Sequence, residues 1–223
     1  MKKTERLGEA TAPDGTVLTF LRHDGAYSIR VHGVELMSTR RHHSEERFGE
    51  LVCEPLRQVA GARVLIGGLG LGFTLEAALR SLAADARVTV VEIVQEVIDW
   101  NLDPEYPLGA AALRDARVDL RHDDVANVLK SNPRTFDAIL LDVDNGADPL
   151  TTRGNAALYR TAGIEMAAAA LRPGGWLAYW LADRDPAFEK SLRRAGLTVE
   201  ETKVRAHVTS GAWHYLLVAR AGG

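Results

Sequence analysis

A chain of 223 residues can hold one sizeable α/β domain and a small appendage, and 46% hydrophobic with 26% charged residues is ordinary for a globular protein. With 27 Lys and Arg against 30 Asp and Glu, the formal charge of -3 offers no basic excess for nucleic acid or an anionic membrane. Cys53 is the single cysteine, which excludes an internal disulfide and a cysteine-cluster zinc site and fits a reducing cytoplasm.

The amino-terminal stretch MKKTERLGEA has no apolar core behind its lysines, so it does not read as a secretory signal. No run approaches the roughly 20 apolar residues of a membrane helix. The nearest, MAAAALRPGGWLAYWLA, is broken by Arg172-Pro173-Gly174-Gly175. A soluble, cytoplasmic protein is expected, with no nucleic-acid or membrane partner.

Residues 1–58 read as an N-terminal β-hairpin element and a connecting helix. TVLTFLR and AYSIRVH flank the turn HDG, and Tyr27, Ile29 and Val31 alternate with Ser28, Arg30 and His32. VELMST offers a third strand. In RRHHSEERFGELVCEPLRQVA, Ser44 followed by Glu45 and Glu46 suits a helix start. Phe48, Leu51, Val52 and Leu56 form an apolar stripe there, which Pro55 interrupts. The adjacent His42 and His43 diverge on any regular element and read as solvated residues, not metal ligands. A hairpin and strand that cannot bury both faces alone suggest pairing in a homodimer.

From Arg63 the pattern alternates. RVLIGG, RVTVVEI, RVDLRH, FDAILLDV and GWLAYWLA are near-continuous apolar runs, as buried parallel strands are. Leu75, Leu79 and Leu82 share one face of the first intervening helix; Val94, Val97 and Ile98 share one face of the second. A long third helix, NAALYRTAGIEMAAAALR, is stopped by Pro173-Gly174-Gly175. LTVEETKV and WHYLLVAR follow the helical PAFEKSLRRAG. Residues 59–223 are therefore expected to form a Rossmann-like, doubly wound, seven-stranded α/β sheet with ligands at the carboxyl ends of its strands.

Four markers fall at those ends. Gly67, Gly68, Gly70 and Gly72 precede a helix beginning near Thr74; glycines there permit positive φ and open a path to free helix amides. A ligand-free tight turn is the plain alternative. The spacing Gly-x-Gly-x-Gly, in place of the Gly-x-Gly-x-x-Gly of dinucleotide sites, is associated with adenosyl-sulfonium cofactors. Glu92, 20 residues beyond Gly72, can accept both hydroxyls of an adenosine ribose. Asp123 and Asp124, in RHDDV, close the third strand; one can accept from an adenine amino group and the other can cap the helix VANVL. LLDVDNGADP places Asp142, Asp144, Asn145 and Asp148 beyond the fourth strand, where acceptor should meet cofactor. Asp142 with Asp183 could hold Mg²⁺, although two oxygen ligands are few and no metal is expected. Trp100 reads as packing, while Tyr179 and Trp180 could line the substrate pocket.

These segments resemble a known family. ELMSTRRHHSEERFGEL, the glycine loop, VVEIVQEVI, HDD, LLDVDNGADP and LRPGGWLAYW occur in the order found in the spermidine synthases and spermidine synthase-like proteins. The resemblance runs from about Gly33 to Trp180 and implies the class I methyltransferase fold. It implies that Glu92 holds the ribose and Asp123 the adenine, and that Asp142 occupies the position of the catalytic base.

The departures bear on the reaction. The family's aminopropyltransferases carry an aspartate inside the glycine loop, which grips the amino end of decarboxylated S-adenosylmethionine; here GGLGLG has Leu69 and Leu71. Their Tyr-His pair is replaced by Phe48 and Gly49, and Asp-x-x-Asp-Pro by DVDN, with Asp-Pro only at Asp148-Pro149. Without the loop acid, the carboxylate of intact S-adenosylmethionine meets no like charge. The expectation is therefore methyl transfer from S-adenosylmethionine to a small amine- or hydroxyl-bearing acceptor, with Asp142 and Asp144 catalytic. Aminopropyl transfer and a non-catalytic adenosyl-binding role are the alternatives.

Overall fold

The computed structural model describes residues 3–143 and 155–222. An N-terminal antiparallel sheet comprises β1 (Thr4–Thr11), β2 (Val17–His23), β3 (Ala26–Val31) and β4 (Val34–Ser38), paired in that order. The β2–β3 and β3–β4 turns each pair a non-glycine residue at positive φ with a glycine: Asp24 (φ 52) with Gly25 (φ 73), and His32 (φ 50) with Gly33 (φ 80). Two positive φ values in a two-residue loop match the right-handed twist of the flanking strands. The expected hairpin is therefore a four-stranded sheet. Its first strand was not foreseen, because TERLGEAT lies at the edge and exposes its charged residues.

Helix α1 (His43–Cys53) follows, and Pro55 converts its continuation into a 3₁₀ turn at Glu54–Leu56. The second sheet contains β5 (Arg63–Gly67), β6 (Arg87–Glu92), β7 (Val118–His122), β8 (Phe136–Leu141), β9 (Leu171–Leu181), β10 (Thr198–Arg205) and β11 (Trp213–Arg220). All seven strands were legible. They are ordered β10-β11-β9-β8-β5-β6-β7, with β11 antiparallel to both neighbours. The helices between them are α2 (Phe73–Ser81), α3 (Gln95–Leu102), the short α4 (Ala110–Leu113), α5 (Val125–Ser131), α6 (Thr161–Ala170) and α7 (Pro186–Arg194). Strand order reverses between β5 and β8, which puts the switch point at the ends of those two strands.

The long third helix is corrected. A 3₁₀ segment at Asn155–Tyr159 is separated from α6 by the extended Arg160 (φ -90, ψ 164), and Pro173-Gly174-Gly175 lie inside β9. A β-carbon on Gly163 would meet the Ala157 carbonyl oxygen at 2.2 Å, so the two segments cross closely at that break.

Period-two alternation divides two cores. Val64, Ile66, Ala138, Leu140, Ala178 and Trp180 face one; Leu65, Ile139, Leu141, Leu177 and Tyr179 face the other. The N-terminal sheet joins the first through Leu18, Phe20, Tyr27, Ile29 and Val31. Phe20 stacks on Trp100 with centroids 4.9 Å apart, so Trp100 is a packing residue. The sheet's apolar face is thus covered by its own chain. Among the described residues, no helix is long and apolar enough to cross a membrane.

Candidate active site

The glycine loop is shaped first by backbone contact. A β-carbon on Gly68 (φ +91) would lie 2.1 Å from the Asp142 carbonyl oxygen, so no other residue fits where the ends of β5 and β8 meet. Gly67 is a packing glycine, since its β-carbon would strike Val125 at 2.6 Å. Gly72 (φ 90) is the N-cap of α2.

Beyond this loop lies an open cavity lined by Gly68, Gly70, Val91, Glu92, Asp123 and Asp124, with Ile29 and Met37 contributed by the N-terminal sheet. Glu92 is buried, and its carboxylate is held by backbone amides: Ile93 and Val94 donate to Oε1, each at 2.9 Å, and Leu69 donates to Oε2 at 3.0 Å. Burial raises its pKa and these amides oppose the rise. The two aspartates divide their work. Asp124 caps α5 by accepting from Ala126 N at 2.8 Å, whereas exposed Asp123 accepts from Asp124 N and Asn127 Nδ2.

A second chamber shares Leu36, Met37, Gly70, Asp142 and Val143 with the first, so the two adjoin. Glu45, Thr74, Asp142 and Trp180 supply its polar groups, among Leu36, Leu69, Leu71 and Phe73. Asp142, at the end of β8, accepts a hydrogen bond from Thr74 Oγ1 at 2.7 Å. Burial pushes its pKa up to about 6, against the effect of Thr74. Glu45 is pushed up to about 8, first by burial and then by the charge of Asp142, with the Ser44 hydroxyl opposing. Both carboxylates are part-buried, enclosed by protein but open to the chamber. Trp180 is buried and, among the described residues, its Nε1 has no hydrogen-bond partner.

Sequence reading missed Glu45 and Thr74. Gly49 brings them together: a β-carbon there would lie 2.6 Å from the Thr74 carbonyl oxygen, so α1 rests directly on α2. Glu45 stands three and four residues before buried Phe48 and Gly49, on the inward stripe of α1. That spacing was the available signal.

The placement of Tyr179 in the substrate pocket is corrected. It is fully buried in the opposite core and donates to the Leu158 carbonyl at 3.3 Å, because adjacent strand residues face opposite ways. Asp144, Asn145 and Asp148 lie outside the described residues. Among those described, no group of three or more His, Cys, Asp or Glu could hold a metal ion.

Fold and cleft together define an α/β protein of the class I methyltransferase type, with a cavity at the strand ends opening into a chamber lined by two carboxylates. No family model matches the chain. Polyamine aminopropyltransferase 2 of Pseudomonas aeruginosa is 27% identical over 184 residues, which is 78% of this chain and 52% of that protein. The chain thus spans about half the length of the curated relative it matches. Spermidine synthase from Thermotoga maritima superposes with a TM-score of 0.75 at 18% identity, covering 98% of this chain and 74% of that one. A Burkholderia thailandensis 1,6-didemethyltoxoflavin-N1-methyltransferase, solved with S-adenosylhomocysteine, gives 0.58 at 21% identity, covering 81% and 79%. At such identities the two structures speak for the fold alone. In sequence the chain is similar to a polyamine aminopropyltransferase, and in fold to spermidine synthases.

Proposed function

We propose that this protein is a transferase that moves an aminopropyl group from decarboxylated S-adenosylmethionine to a small amine, in preference to methyl transfer from S-adenosylmethionine. The observation that carries the reading is Glu45 beside Asp142 in one chamber. The neutral glycine loop had favoured the intact cofactor, but an acid arrives from α1 instead of from the loop. Two carboxylates suit an ammonium end and disfavour a carboxylate; like charges near 4 Å repel by about 4 kcal/mol at an effective dielectric of 20. The match to a polyamine aminopropyltransferase supports the same choice.

The fit of an adenosyl cofactor is supported by Gly68, Gly70 and the carboxylates of Glu92 and Asp123, which line one cavity at the ends of the strands. When bound, it supplies an electrophilic carbon with a sulfonium leaving group. Asp142, or Glu45 through its neighbour's charge, takes the proton of the acceptor nitrogen; Thr74 fixes Asp142, and the apolar walls exclude water. Asp144, Asn145 and Asp148 are assigned to the acceptor side of the site on sequence grounds.

Products decide between the readings. Given equal decarboxylated and intact cofactor with a panel of small amines, the enzyme should release 5′-methylthioadenosine, detected by mass spectrometry, and bind the decarboxylated form at least about tenfold more tightly, about 1.4 kcal/mol. S-adenosylhomocysteine as the product would establish methyl transfer, and neither product with retained binding would indicate a binding protein.

Glu92 is assigned a double role, anchoring the glycine loop and accepting from ribose. Charged hydrogen bonds contribute about 1.5–3 kcal/mol each. Glu92→Gln should weaken S-adenosylhomocysteine binding at least about tenfold by calorimetry and lower the melting temperature. Unchanged affinity would remove Glu92 from the cofactor site.

A further inference from the structure

We propose that Ser44 and His214 form a proton relay between Glu45 in the chamber and solvent. His214, half-buried on β11, places Nδ1 2.8 Å from Ser44 Oγ, and Ser44 Oγ lies 2.5 Å from Glu45 Oε2. Ser44 itself is fully buried, so the three groups form one chain with no water in the middle link. The imidazole is held edge-on against Trp180, 4.5 Å between centroids. The relay sets how Glu45 gains and loses its own proton; only the use of that carboxylate in catalysis rests on the proposed amine transfer.

The chain has two consistent arrangements, because a hydroxyl has one proton to give. With Glu45 ionised, Ser44 donates to the carboxylate, and His214 must donate from Nδ1 to Ser44 Oγ. With Glu45 protonated, the carboxyl donates to Ser44 Oγ, Ser44 donates to Nδ1, and the ring carries its proton on Nε2. From the protonated arrangement the transfer balances: Glu45 passes its proton to Ser44 Oγ, and the hydroxyl's own proton moves to the free Nδ1. The ring then releases its Nε2 proton to water and Glu45 is again ionised. Burial keeps His214 neutral, down to about 4, with Asp183 and Arg41 pulling in opposite directions. Asp142 and Glu46 face Glu45. A neutral imidazole switches between its two tautomers in this scheme without accumulating charge.

The test uses no substrate. In protein labelled with ¹⁵N-histidine, assigned with His214→Gln, the two ring nitrogens of His214 should exchange protonated and unprotonated character with an inflection near pH 8, where Glu45 titrates. Glu45→Gln and Ser44→Ala should each abolish that inflection in protein whose circular dichroism is unchanged. A flat His214 profile while the ¹³C carboxyl signal of Glu45 titrates would overturn the relay, as would a switch that persists without the Ser44 hydroxyl. Should Ser44→Ala fail to fold, wild type against Glu45→Gln suffices. Because the aminopropyl reading is judged from products, either idea can fail without the other.

Discussion

Replacing Asp142 with Asn should lower turnover by roughly 10²–10⁴, the usual worth of general-base catalysis, while binding of the adenosyl cofactor hardly changes. The main chain of Asp142 is fixed by its amide donating to the Gly67 carbonyl at 2.9 Å, and its carbonyl oxygen touches Gly68, neither of which needs the side chain. An Asn side-chain oxygen still accepts from Thr74 Oγ1, so the geometry survives and only the affinity for a proton is lost. In the wild type that affinity is raised by burial to about 6, close to what a base working at neutral pH requires. Rates with and without a saturating amine, measured beside calorimetry of cofactor binding, separate the two roles. Wild-type turnover in Asp142→Asn would make the residue structural. Loss of cofactor along with rate would assign it to the adenosyl cavity, whose wall it shares.

Much of this was legible because burial writes itself into sequence. The inner strands β5, β6, β8 and β9 are covered on both faces, so their apolar runs stand out whatever their neighbours. The glycine loop and the acids at the ends of β6, β7 and β8 follow from topology, since strand ends at a switch point are where ligands reach the backbone. The edge strand β1 was hidden by charges that face solvent, and the split before α6 by alanines that serve a helix or a turn equally well. Glu45 was missed for a different reason. An acid in the first turn of a helix is already explained by the helix dipole, so nothing in the local pattern demands a second role. Only the contact of α1 with α2, set by the missing side chain of Gly49, turns that residue toward Asp142.

Glu45→Gln should therefore act on binding, on proton release and on stability, each in a direction that can be stated in advance. An ammonium ligand in the chamber favours the ionised carboxylate, so wild-type protein at pH 7, below the value of about 8, must shed close to one proton from Glu45 as the ligand binds. Calorimetry in buffers of different ionisation enthalpy measures that release, and the Gln variant should lose it. Affinity for decarboxylated S-adenosylmethionine should fall roughly 10- to 100-fold, the worth of one charge-assisted hydrogen bond, while the intact cofactor binds no worse. The stability of the ligand-free protein follows from the sign of the same shift. A carboxylate whose folded pKa is raised from 4.5 to about 8 contributes stability that is fully present below 4.5 and is lost as pH rises through 8. Wild-type melting temperature should decline across that window, with Asp142 adding its part between 3.8 and about 6. In Glu45→Gln the decline above pH 6 should flatten, because the amide has no charge to bury. A variant that keeps both the preference for the decarboxylated cofactor and the proton release would show that Glu45 does not meet the ligand, and the discrimination would then have to come from Asp142 alone.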